Sequence, residues 1–165
     1  MNKKHKIIYL FGSDASGKTT LARELQDISK CHIIHGSYDK TWNMFEYHKA
    51  LINSAEELSE YQVVVLDRWS IDENVYSEVF RDSESYDTKK LIDSHKNNII
   101  FIYCRPSDII KRFDDLKNKR EEMFDNMDGI VKKFDEYVDS TNLEVYVYDF
   151  TDCDMHKFAL NILNK

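Results

Sequence analysis

The sequence predicts an α/β fold in which a five-stranded parallel sheet carries helices on both faces. Two observations predict it. Short apolar runs alternate with longer amphipathic stretches along the chain. The central run Val63–Leu66 has no polar face, as expected of a strand covered by helices on both sides. Parallel neighbours need a crossover connection, which the intervening amphipathic stretches supply.

The elements follow in order. Ile7–Phe11, Cys31–His35, Val63–Leu66, Ile99–Tyr103 and Val145–Tyr148 are strands, four to five residues each and rich in Ile, Val and Tyr. Helical spacing covers 17–29, 40–59, 71–81, 86–95, 106–138 and 154–163. In the second of these stretches Trp42, Phe45, Leu51, Ile52, Ala55 and Leu58 approximate one apolar stripe. No repeat, low-complexity tract or interdomain linker interrupts the pattern. The 165 residues therefore read as one domain, 1–165.

Composition narrows the function classes. Four Gly and one Pro exclude collagen-like and linker-dominated chains. A net charge of −7 disfavours a broad nucleic-acid footprint. Cys31, Cys104 and Cys153 show neither CxxC nor Cys/His metal spacing, so they read as reduced thiols. No apolar run reaches membrane-spanning length, and Met1–Lys6 leads into a run too short for a signal peptide. The expectation is a soluble cytoplasmic protein with no membrane partner.

Gly12, Ser13, Asp14, Ala15, Ser16, Gly17, Lys18 and Thr19 match G-x-x-x-x-G-K-[ST] without a gap. They lie between a strand and the helical stretch opened by Thr20, the context the motif requires. Gly at both fixed positions lets the backbone wrap around phosphate oxygens and present its N–H groups. The helix N-terminus adds partial positive charge. Lys18 then reaches the β- and γ-phosphates of a nucleotide such as ATP, and the Thr19 hydroxyl ligates Mg²⁺. The expected architecture is accordingly the P-loop NTPase fold. The third strand runs directly into Asp67 and Arg68. An acid at this place in P-loop proteins supports the Mg²⁺ shell. Arg68, at the carboxyl end of a central strand, offers a bidentate fork to phosphate.

Phe11–Thr20, with an acid at Asp14, resembles the P-loop of the thymidylate kinases. Asp67-Arg68-Trp69, followed by Tyr76 and Arg81, resembles that family's D-R-[YFH]…A-Y-Q-x-x-x-R segment at the same spacing. Pro106, then Arg112 and Arg120, looks like its short helical lid, here within about 111–125. The length and the Lys/Asn/Asp/Ile-rich composition are similar to small phage-encoded members, which would place the protein in a host cytoplasm. The resemblance implies an ATP- and Mg²⁺-dependent kinase acting on a deoxynucleoside monophosphate or related nucleoside. Lys18, Asp67, Arg68 and Arg120 would be catalytic, Thr19 and Asp67 would hold the metal, and Gly12–Thr20 with Arg112 would bind the cofactor. Asp14, Trp42, Glu46, Tyr47, Arg68, Tyr76 and Arg81 would meet the acceptor, with Asp14 orienting its sugar. His48 is a further candidate contact. A homodimer is expected on the same ground.

The departures fall on the acceptor side. Glu46 stands where the family has an Arg, and His35-Gly-Ser-Tyr-Asp39 replaces Glu-Pro-Gly. Asp72 replaces a Ser, and Ser77 a Gln. They bear on which acceptor is taken and leave phosphoryl transfer untouched. An ionised Glu46 would select an acceptor that presents an N–H or O–H donor. Two other readings remain open at this level: a kinase acting on a modified base hydroxyl in DNA, and a nucleotide-binding regulator without turnover.

Overall fold

The computed structural model describes residues 6–81, 86–105 and 126–165. The strand β1 (Ile7–Phe11) is buried along its whole length. It enters α1 (Lys18–Ser29), which closes at Lys30 in the left-handed region. After β2 (His32–His35), Asn43 caps α2 (Met44–Leu58) by accepting the Glu46 N–H at 3.3 Å. β3 (Val64–Asp67) leads into α3 (Ser70–Phe80). Asp87 caps α4 (Thr88–His95), and a 3₁₀ turn at Lys96–Asn98 delivers the chain to β4 (Ile99–Cys104). α5 (Met127–Ser140), β5 (Val145–Tyr148) and the Asp154-capped α6 (Met155–Leu163) complete the described chain.

All strand pairs are parallel, in the order β2-β3-β1-β4-β5. Ile7 lies opposite Val64 on one side and Ile99 on the other. Side chains alternate across the sheet and build two cores. Ile7, Tyr9, Phe11, Val64, Leu66, Phe101 and Tyr103 pack beneath α2, α3, α4 and α5. Ile8, Leu10, Val65, Ile102 and Cys104 pack beneath α1 and α6. The carboxyl ends of the five strands share one edge, which in open α/β sheets is where ligands bind.

Boundary differences have local causes. The helix expected from residue 40 begins at Met44, because Asp39 accepts both the N–H and the hydroxyl of Thr41 in a tight turn. The third strand runs through Asp67, which stays in register with Leu10 and His35. Phe45, one of the apolar stripe read from the sequence, is 36% exposed and packs edge-on against Tyr86. Of the stretch expected to be helical at 106–138, residues 127–138 lie within α5 and Asn126 is its N-cap. The lid at 111–125, with Arg112 and Arg120, lies outside the described residues, as does Pro106. Among the described residues no helix is long and apolar enough to cross a membrane.

Phe134 fixes α5 to the sheet. It is fully buried, with its ring 6.1 Å from Phe11, 5.9 Å from Tyr103 and 6.3 Å from Tyr76. Replacing it with Ala removes this packing and leaves a cavity, so Phe134→Ala should lose about 3–5 kcal/mol in urea unfolding. A loss below about 1 kcal/mol would show that α5 does not pack as described.

Candidate active site

The turn after β1 wraps tightly because its backbone takes conformations that few residues tolerate. Gly12 and Gly17 have φ of 139° and 87°, and Ala15 sits at 57°. A Cβ on Gly12 would stand 2.4 Å from the Cys104 carbonyl oxygen, so only glycine lets the loop pass this close to β4. Lys18 opens α1 and folds back over the loop. Its Nζ donates to the Gly12 carbonyl at 2.7 Å, to the Ser13 carbonyl and to Ser16 Oγ at 3.2 Å. Burial, reinforced by nearby Arg68, pushes the Lys18 pKa down. These three acceptors are weak neutral partners for an ammonium, which a phosphate oxygen can replace with a charged one. Phe150 and Tyr148 close the other side of the loop, where a Cβ on Gly17 would meet each of them at 3.6 Å.

Asp67 ends β3 beside this loop with its carboxylate almost fully buried. Thr19 Oγ1 is 3.4 Å from Asp67 Oδ2, and His35 Nδ1, at the end of β2, is 3.1 Å from the same oxygen. Asp67 Oδ1 is buried with no hydrogen-bond partner among the described residues. A buried anionic oxygen left over is unstable unless something cationic or hydrogen-bonding reaches it. The pair of Thr19 hydroxyl and Asp67 carboxylate suits Mg²⁺, which takes one or two protein oxygens and completes its shell with water and phosphate.

Arg68 follows with φ of 73°, an uncommon left-handed non-glycine residue. Its N–H donates to the Leu10 carbonyl at 3.2 Å, and its carbonyl lies where a Cβ on Gly36 would come within 2.3 Å. The turn therefore aims the side chain across the edge of the sheet. There the guanidinium donates to Asp14 Oδ1 and lies 5.8 Å from the Tyr76 ring centre. The Tyr76 hydroxyl accepts the Asp14 N–H at 3.1 Å, so Asp14, Arg68 and Tyr76 form one connected group.

A cavity of about 910 Å³ opens next to them, lined by Asp14, His35–Tyr38, His48, Arg68, Trp69, Asp72, Glu73, Tyr76, Phe80 and Arg81. This size falls in the range of small-molecule sites. Arg81 pairs with buried Glu73 at 2.8 Å and lies 4.1 Å over the Tyr38 ring. His48 Nδ1 meets the Tyr86 hydroxyl at 2.6 Å. Burial, with Arg81 nearby, pulls the His48 pKa down to about 4, so the ring is neutral at pH 7.

The structure gathers Asp14, Arg68, Tyr76 and Arg81 around this cavity and Lys18, Thr19 and Asp67 beside it. It does not bring Glu46 there. Glu46 is exposed in the first turn of α2, and His48 takes the inward position. Two residues turn a helix by about 200°, so 46 and 48 lie on opposite faces. Tyr47 and Trp42 are not among the lining residues either. The Tyr47 hydroxyl accepts the Ser37 N–H at 3.0 Å and braces the loop after β2, and Trp42 packs on Tyr47 at 4.8 Å between ring centres. Thr20 is exposed on α1.

Sequence reasoning missed three site residues. Asp72 was noted only as a departure, yet it is buried and ties the phosphate loop to α3. Its Oδ1 accepts the Gly12 N–H at 3.3 Å, and its Oδ2 accepts from Tyr9 O–H at 2.7 Å and Trp69 N–H at 3.2 Å. Burial raises its pKa, while Lys18 and Arg68 oppose the rise. Glu73 was unmarked, and His35 was quoted only as a replacement. The available signal was the pair of adjacent acids Asp72-Glu73 in the first turn of the helix that follows Asp67 and Arg68.

No protein-family model and no curated protein matches the chain. Solved structures do. The YorR protein from Bacillus subtilis, in complex with phosphorylated GDP, superposes with a TM-score of 0.78 at 23% identity, over 96% of this chain and 94% of that one. Deoxyadenosine kinase from M. mycoides with bound dATP gives 0.64 at 17% identity, over 98% and 100%. Thymidylate kinase from Ehrlichia chaffeensis gives 0.57 at 13% identity, over 99% and 100%. The chain thus has the fold of the P-loop nucleotide kinases, with the strand–loop–helix motif and the acid that ends β3 on the edge where open α/β sheets hold their ligands.

Proposed function

We propose that the protein is an ATP- and Mg²⁺-dependent kinase that transfers a phosphoryl group to a small nucleotide-type acceptor, a deoxynucleoside monophosphate or a related nucleoside. One observation carries this reading. A complete phosphate loop and a separate acceptor-sized cavity meet at Arg68, with the Thr19–Asp67 pair between them. A nucleotide-binding regulator has no use for the second compartment.

In this reading Lys18 leaves the loop carbonyls and binds the β- and γ-phosphates, and the amides of residues 13–19 hold their oxygens. Thr19 and Asp67 would hold Mg²⁺, which neutralises charge on the transferring phosphoryl. Arg68, tethered by Asp14 and resting on Tyr76, faces the acceptor. Asp72 keeps the entrance of the loop and the first turn of α3 at a fixed separation. Rate enhancement then comes from positioning and from charge placed in advance, with no covalent intermediate on the protein. Arg120 and Arg112, proposed over the phosphates, belong to the segment outside the described residues.

Lys18→Ala should lower turnover on the order of 10²–10³-fold while leaving urea unfolding close to that of the parent. Near-normal turnover of the folded variant would remove this loop from the active site. Arg68→Ala should cut acceptor-dependent kcat/KM on the order of 10²-fold with ATP affinity little changed. Equal losses in ATP and acceptor affinity would make Arg68 a general support of the fold.

A further inference from the structure

We infer that the acceptor is an uncharged nucleoside, phosphorylated on a sugar hydroxyl, and not a nucleoside monophosphate. The inference rests on the kinase reading above and narrows it to one substrate class.

The cavity lining carries the argument. It contains three carboxylates, Asp14, Asp72 and Glu73, and two guanidiniums, Arg68 and Arg81. Each guanidinium is already committed, Arg68 to Asp14 and Arg81 to Glu73. Each also rests on an aromatic ring, Tyr76 and Tyr38 respectively. Asp72 receives three donors on its two oxygens, the pattern of a carboxylate and not of a protonated acid. Of the histidines in the lining, His48 is buried and bonded to Tyr86, and His35 turns its Nδ1 to Asp67. Among the described residues each guanidinium of the cavity is therefore already offset by a carboxylate, and the lining carries an excess of negative charge. Lys18 and the loop amides serve the donor phosphates.

A monophosphate brings close to two negative charges at pH 7. In this cavity it would meet the three carboxylates and find only guanidiniums whose charge Asp14 and Glu73 already offset. A nucleoside brings no charge. Its base can lie against Tyr38, Tyr76 and Phe80, and Glu73 can accept from a base N–H. Its hydroxyl can reach Asp14 and Arg68 beside the phosphate loop. In the transfer the hydroxyl oxygen bonds to the γ-phosphorus, the bond from that phosphorus to the β–γ bridging oxygen breaks, ADP departs and the hydroxyl proton passes to water.

The test measures ADP release from Mg-ATP by the full chain, with the four common deoxynucleosides and their 5′-monophosphates as acceptors. Product identity is read by phosphorus NMR. The best nucleoside should exceed its own monophosphate in kcat/KM by at least about tenfold, and the product should be a phosphomonoester. In Glu73→Gln, which releases Arg81, the ratio should move toward the monophosphate by about threefold or more. A monophosphate that equals or outperforms its nucleoside, yielding a diphosphate, would overturn the inference and leave the kinase reading standing. A ratio unmoved by Glu73→Gln would overturn the electrostatic basis. ATP binding without turnover of either class would overturn the kinase reading itself, and the inference with it.

Discussion

The buried carboxylate of Asp72 is the constraint on which the site depends. One of its oxygens holds the amide that opens the phosphate loop, and the other holds the Tyr9 hydroxyl and the Trp69 amide. Tyr9 in turn accepts the N–H groups of Ile71 and Asp72 at the start of α3. The middle of β1, the entrance of the loop and the first turn of α3 are thereby tied at one point inside the protein. Such a network is stable only when every member is satisfied, because water cannot replace a missing partner. It transmits position directly. A shift of α3, which carries Glu73 and Tyr76 on the acceptor wall, must move the amide of Gly12.

The two halves of the site are built by different means. On the donor side the geometry is backbone, and it exists because Gly12 can pass the Cys104 carbonyl at a distance no side chain allows. On the acceptor side it is side chain, and it exists because charges are paired where they are buried. Arg68 joins the two. Its left-handed backbone is set by the close approach of Gly36 and by the bond to Leu10, while its guanidinium is set by Asp14, a residue of the loop itself.

The sheet, its five strands and the phosphate loop were legible in the sequence because each rests on local pattern. Val64–Leu66 is apolar up to the closing Asp67, and Gly12 to Thr19 is contiguous. The acceptor wall was not legible, since its members are brought together by tertiary contacts between β1, α2, α3 and the loop after β2. Glu46 and His48 show the limit. A count along the sequence chose Glu46, whereas the Asn43 cap fixes the phase of α2 and turns His48 inward. Tyr9 shows it differently. As a strand residue it reads as core, and nothing local announces that its hydroxyl answers an acid far along the chain.

The order β2-β3-β1-β4-β5 has a consequence for how the chain acquires its activity during synthesis. β1 and the loop after it leave the ribosome before β3 and β4, yet β1 is central and both of its neighbours come much later, Val64 opposite Ile7 on one side and Ile99 on the other. Until β3 arrives there is no Asp67 beside Thr19, and until β4 arrives there is no Cys104 carbonyl against Gly12. These pairings are distant in sequence, so loop-closure entropy must be met before they reward the chain. A nascent chain holding only the phosphate-loop motif therefore has the residues of a nucleotide site without its shape, and competence to bind appears as one late event, when the central strand is finally flanked.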